Sequence, residues 1–251
     1  MKTGNTVIAA GVALALGGCV TTETVSYKAS ATQQNVIRDG VGALISSQPS
    51  SVVMLRPAGR GVPAGQRPVY VLAVQNRTPK PVDLRVADIK VIQTKQGQYA
   101  RALNVKTYEQ LVDEEKTRQV FAAIGVGLGA AGNSIQAANA GHGTATTHTP
   151  HGTYHTTYYS PAANQIAVAN ANAQNNRNIA AFANQAEANM AALEGNVLKD
   201  NTVMPGEWIG GTVTFEPPRK EYADGKAKSY SIGVKIGEDT HVIEITQAPG
   251  A

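Results

Sequence analysis

The 251-residue chain has one cysteine, so no disulfide can form within it and no cysteine cluster can hold zinc. Aromatic residues make up 5% and charged residues 16%, where globular chains carry about 25% charged residues. The net charge of +4 comes from 22 basic and 18 acidic residues spread along the chain. No polybasic arm or acidic tail is present, and no nucleic-acid partner is expected. Charge is missing altogether from Gln119 to Asn176, a run of 58 residues. No G-x-S-x-G, H-E-x-x-H or P-loop occurs, so no nucleophile–base set is legible, and neither an enzyme nor a cofactor is expected.

What is present begins at the N-terminus. Met1-Lys2-Thr3 is a positive start, Val7 to Leu16 is apolar, and Leu16-Gly17-Gly18-Cys19 follows. The apolar run is too short to cross a bilayer, which takes about 20 residues. It reads as a secretory signal over residues 1–18. Leu16 to Cys19 resembles the lipobox of bacterial lipoproteins: an aliphatic residue, two small residues and cysteine. That resemblance implies cleavage before Cys19, acylation of Cys19 and anchorage by two or three chains, which is stable where one is marginal. Val20 stands where an inner-membrane retention signal would have Asp, so the outer membrane is expected, at the periplasmic face or the cell surface. The mature chain has 233 residues. Residues 19–34, rich in Thr, Ser, Ala and Gln, read as a flexible tether.

The flanks carry strand patterns. Asn35 to Ser46 is an ambiguous amphipathic piece, with Ile37, Val41 and Leu44 at helical spacing and two glycines against it. Ser51–Leu55, Val69–Asn76, Val82–Val86, Ile89–Gln93, Tyr99–Val105, Glu207–Phe215, Tyr230–Ile236 and His241–Thr246 read as strands between Gly- and Pro-marked turns. Val69 to Asn76 is apolar on both faces, as in a strand covered from both sides. Asn76-Arg77-Thr78 matches a glycosylation acceptor but reads as a turn, and Trp208 and Tyr222 read as core or rim residues rather than ligand platforms. Tyr70–Asn76 with Pro79 and Pro81, Gly97-Gln98-Tyr99, and Pro205-Gly206-Glu207 before Gly211-Thr212-Val213-Thr214-Phe215 resemble the telokin-like, immunoglobulin-fold domain of bacterial lipoproteins and secreted proteins. This implies an α+β chain: an antiparallel β-sandwich from residues 35–106 and 199–251, interrupted by residues 107–198. The resemblance covers under half of the chain and brings no catalytic residues.

The interruption reads as an inserted helical hairpin. Thr107-Tyr108-Glu109-Gln110 is a capping box opening a helix toward Asn139. Ile124, Leu128, Ala131, Ile135 and Ala138 share one face, and Gly125, Gly129 and Gly132 recur at close-packing spacing. A second helix is expected from Ala162 to Glu194, with Ile179, Phe182, Ala186, Met190, Leu193 and Val197 as its seam and Gly195 as its stop. Thirteen of the 32 residues from Ala162 to Leu193 are Ala and eight are Asn. Such helices meet other copies or a partner, the host sandwich, or a membrane. The candidate contact residues are Ile124, Gly125, Leu128, Gly129, Gly132, Ile135, Ile179, Phe182 and Met190.

Gly127-Leu128-Gly129-Ala130-Ala131-Gly132 has the G-x-G-x-x-G form, but it lies inside a predicted helix with no strand before it and no acid in the 44 residues after it. Residues 141–161 are a polar loop holding His142, His148, His151 and His155. Of these, His148, His151 and His155 are the candidate metal ligands. No Asp, Glu or Cys lies near them, so a plain loop tip is the competing reading. The function that these features support is a non-enzymatic interaction protein of the cell envelope; an oligomeric pore and a small-ligand or metal binder are the alternatives.

Overall fold

A computed structural model describes residues 22–38 and 40–250. The signal segment, Cys19 and the lipobox lie outside the described residues. The strands are β1 (Thr22–Lys28), β2 (Gln33–Arg38), β3 (Val41–Ser47), β4 (Ser51–Pro57), β5 (Val62–Pro63), β6 (Val69–Asn76), β7 (Val82–Leu84), β8 (Ile89–Lys95), β9 (Gln98–Leu103) and β10 (Val105–Lys106). Then come α1 (Tyr108–Asn139), β11 (His142–Thr149), β12 (Gly152–Tyr159) and α2 (Pro161–Asn196). The chain closes with β13 (Asn201–Val203), β14 (Trp208–Phe215), β15 (Lys228–Ile236) and β16 (Asp239–Pro249).

The chain is α+β. Two antiparallel six-stranded sheets, ordered β5-β1-β16-β15-β8-β9 and β10-β14-β6-β4-β3-β2, share one apolar core. Inward positions alternate along each strand, as in Tyr70, Leu72 and Val74 of β6 and Tyr230, Ile232, Val234 and Ile236 of β15. Phe215 stacks on Tyr70 at 5.7 Å and meets the edge of Tyr230 at 5.6 Å, joining the two sheets. The outer face of β6 (Val69, Val71, Ala73) is only half-buried, so this central strand is fully covered on one side, not on both as its pattern predicted.

Residues 22–34 are not a free tether. Val25 and Tyr27 pack against the core, and Glu23 is buried in an ion pair with Lys228 of β15. Inward residues alternate along β1, and Glu23 to Lys28 pair with β16, which outweighs its polar composition. The segment 35–46 is likewise extended, forming β2 and β3.

Asn76 is buried and its side chain organises the turn that follows. Its Oδ1 accepts from the Thr78 N–H at 2.8 Å, and its Nδ2 donates to the carbonyls of Lys80 (2.7 Å) and Val203 (3.0 Å). These bonds occupy the amide that glycosylation would need. Trp208 stands about half exposed at the start of β14, at the rim.

At the same end of the fold, His241 is fully buried between Ser51 (Nε2 to Oγ, 2.8 Å) and Ser46 (Nδ1 to Oγ, 2.9 Å). Ser51 Oγ gives its proton to Asp239 at 2.7 Å, so His241 Nε2 donates to Ser51, and in the neutral ring Nδ1 accepts from Ser46. Burial favours the neutral imidazole and holds its pKa below the usual 6.5 despite the pull of Asp239. The unfolded chain takes up this proton first, so the stabilisation is complete above about pH 6.5 and is lost as pH falls through the folded value. Melting temperature is expected to drop between pH 7 and pH 5. A His241→Gln variant should flatten that slope, as thermal melts followed by circular dichroism would show.

Candidate interaction surface on the helical arm

The helices follow directly from their sequence. Thr107 Oγ1 accepts from the Gln110 N–H and Gln110 Oε1 accepts from the Thr107 N–H, so the capping box forms as read. Ser160 caps α2, with Pro161 in its first turn. The helix runs one residue past Gly195. At 32 and 36 residues the helices are about 48 and 54 Å long. They pack antiparallel on each other and form an arm that springs from β10 and returns along β14, where the Leu198 N–H donates to the Thr212 carbonyl.

Most of the arm's charges lie toward its base, with Arg177 higher on α2. Arg67, from the loop before β6, and Lys106 both pair with Glu114. Their hydrogen bonds, Arg67 first, hold the Glu114 carboxyl below its usual range. Lys199 pairs with Glu194 and lies 4.3 Å over the Tyr108 ring. A cleft of about 660 Å³ opens beside these residues, lined by Arg67, Leu111, Glu114, Glu115, Arg118 and Leu193 among others. Gly211 admits the chain leaving α2: a Cβ there would lie 2.6 Å from the Leu198 backbone nitrogen.

Along its length the seam between the helices is small and polar. Leu111, Glu115, Gln119, Val126, Ala130, Asn133 and Ala137 of α1 face Asn164, Ala167, Ala171, Asn175, Phe182, Ala186, Asn189 and Leu193 of α2. Asn175 accepts from Asn133 at 2.8 Å and donates to the Ala130 carbonyl at 3.2 Å. Asn164 donates to the carbonyls of Ala137 and Ala138, and Gln119 to that of Ala186. Glu115 accepts from Asn189 and Gln119 at 3.0 Å each and pairs with Arg118. Burial pushes its pKa up, but these partners outweigh that and hold it below the usual value. Only the thickness of the two-helix layer covers this carboxylate. Glu115→Ala should strand Asn189 and Gln119, and helix amides around these residues are expected to exchange about 10-fold faster with the sandwich unchanged.

The apolar stripe of α1 is on the other side. Phe121, Ile124, Leu128 and Ile135 are 70%, 55%, 70% and 64% exposed. They sit half a turn round the helix from Val126, Ala130, Asn133 and Ala137. Gly125, Gly129 and Gly132 lie among them, and a Cβ on any of the three would meet nothing within 4 Å. The pattern 124-128-131-135-138 is therefore a real helix face, but it points away from α2 because the amides, not the aliphatics, make the inter-helix bonds. On α2, Phe182 and Met190 are half-buried in the seam, whereas Ile179 is half-exposed. Gly127 to Gly132 lies within α1, with no strand before it.

The loop over residues 141–161 is a β-hairpin. His142 packs on Tyr159 at 4.9 Å, and Thr hydroxyls hold His155 Nδ1 (Thr146, 3.0 Å) and His148 Nδ1 (Thr153, 2.8 Å). His151 is in the two-residue turn. Among the described residues no three His, Cys, Asp or Glu side chains are placed to hold a metal ion. Tyr158 lies across Gly143, where a Cβ would come within 2.5 Å of its ring.

Ser51, His241 and Asp239 are a cluster that strand patterns alone do not reveal, because the three residues are brought together from β4 and β16. Asp239 accepts from the serine rather than orienting the imidazole, and Ser51 and His241 are both fully buried. The hydroxyl is thus a structural linker and not a primed nucleophile. No family model, curated protein or solved structure matches the chain.

Proposed function

We propose that this chain is a non-enzymatic lipoprotein of the cell envelope, anchored in the outer membrane through acylated Cys19, whose helical arm assembles copies of itself. The two sheets are read as an immunoglobulin-like sandwich that carries the arm. One observation supports this reading above others: the arm satisfies its polar groups inside and leaves an aliphatic and glycine stripe open outside. Small residues in such a stripe let two helix backbones approach closely. The stripe includes Ile124, Gly125, Leu128, Gly129, Gly132 and Ile135 of the expected contact set. With β1 starting three residues after Cys19, the anchor and the sandwich would be adjacent.

The test is the mass of the detergent-extracted, lipidated chain by light scattering, against a chain in which a short linker replaces residues 119–194. A defined assembly that falls to monomer in the shortened chain is expected; monomers in both would reject self-assembly.

A second reading, an oligomeric pore, is favoured by α1, which is long and apolar enough by composition to cross a membrane. The outward Asn170, Asn172 and Asn176 of α2 would then have to line water rather than face acyl chains. Dye release from liposomes separates the two readings, since an assembly arm alone leaves vesicles intact.

A further inference from the structure

The tip of the arm is a sheet of only two strands, β11 and β12, paired from His142↔Tyr159 to Thr149↔Gly152 without a bulge. Every residue from Thr144 to Tyr159 is exposed. A lone hairpin is marginal in water, where a third strand or a covered apolar face is needed. Natural edges are guarded by lysine, proline, bulges or covering segments. Neither strand contains lysine or proline, and no described strand covers either edge.

The direction of the free backbone groups follows from the ladder. Ser160 N–H donates to the Gly141 carbonyl at 2.8 Å, which makes 141/160 a hydrogen-bonded pair. Antiparallel pairs alternate, so 143/158, 145/156 and 147/154 bond inward. The N–H groups of His142, Thr144, Thr146 and His148 point out from one edge, and those of Thr153, His155, Thr157 and Tyr159 from the other.

We infer that the tips of neighbouring copies join edge to edge, β11 of one copy against β12 of the next, into one continuous antiparallel sheet. Three observations favour a second copy over a foreign strand. The tip lies within the 58 uncharged residues, so another copy brings no unpaired charge against it. The two edges belong to different strands, so head-to-tail pairing uses both of them, and where its rotation closes such a contact forms a ring that removes every edge. The open stripe of α1 leads into β11 within the same uncharged segment. A ring of n copies has a sheet of 2n strands. One surface carries His142, His148 and His155 with threonines, and the other carries Tyr154 and Tyr158. This inference rests on the reading that the arm assembles copies.

The experiment is hydrogen exchange at residue level on the unmodified lipidated chain in detergent, alongside its mass by light scattering. In the assembly, the outward amides of Thr144, Thr146, His155 and Thr157 are expected to exchange roughly 100-fold slower than an open chain. Thr146→Pro with Thr157→Pro removes one outward N–H per edge and leaves the inward ladder, and it should return the remaining outward amides to the open-chain rate. An assembly whose outward amides exchange at the open-chain rate would overturn the joined sheet while leaving arm-mediated assembly standing. A monomeric mass would overturn both.

Discussion

Replacing Leu128 by aspartate is expected to convert the assembly to monomers while the fold stays intact. Leu128 touches nothing within the chain that its loss would expose, since it is 70% exposed on the outer face of α1. Burying a leucine against a neighbouring helix is worth about 2 kcal/mol, and a carboxylate in that contact adds a desolvation cost. Together these reach at least ~3 kcal/mol per contact, roughly a 100-fold weaker association. Circular dichroism and melting temperature should be unchanged, and the light-scattering mass should fall. Val126→Asp is the informative contrast. Val126 lies on the seam, so its replacement would open the arm and be visible as lost helix. If Leu128→Asp unfolded the chain instead, the stripe would be a folding surface and not an assembly surface.

The second large effect is on stability. Phe215→Ala is expected to cost about 3–5 kcal/mol, a large part of the 5–15 kcal/mol that holds a typical domain together. Its ring is 1% exposed and bridges Tyr70 and Tyr230, so its removal leaves a cavity between the two sheets. Urea unfolding followed by Trp208 fluorescence measures it. Tyr230→Phe makes a useful contrast. The Tyr230 hydroxyl is buried without a hydrogen-bond partner, as is that of Tyr70. Burial pushes both phenol pKa values well above their usual range. Removing an unpartnered hydroxyl while keeping the ring should leave stability equal or slightly higher. A loss comparable to Phe215→Ala would contradict this account of the core.

How much of this was legible in the residues differs from element to element. Thr107 and Gln110 announce the start of α1, and the alternation in Val69–Asn76 and Tyr230–Ile236 announces core strands, because both signals are local. The strand β1 was hidden by its Thr- and Ser-rich composition. Its inward Glu23 pairs with Lys228, more than 200 positions away. The polar composition of the tip suggests a loop, although its threonines and tyrosines flank a two-residue turn, which is hairpin chemistry. The most instructive difference concerns the arm. Periodicity correctly finds the face that carries Ile124, Leu128 and Ile135, but it cannot say what that face meets. The asparagines of the second helix held the answer: Asn164, Asn175 and Asn189 bond across the seam, and this turns the aliphatic face outward. The Ser51–His241–Asp239 cluster depends on strand pairing and leaves no local pattern.

The central claim is that the outer face of α1, and not its inner seam, contacts other copies. Photo-cross-linking in intact cells tests it most directly, with a photoreactive phenylalanine analogue placed in turn at Leu128, Ile135 and Val126. Chain-to-chain adducts are expected from Leu128 and Ile135, and from Val126 only a cross-link within the chain to α2. Adducts between chains from Val126 with none from Leu128 or Ile135 would contradict it.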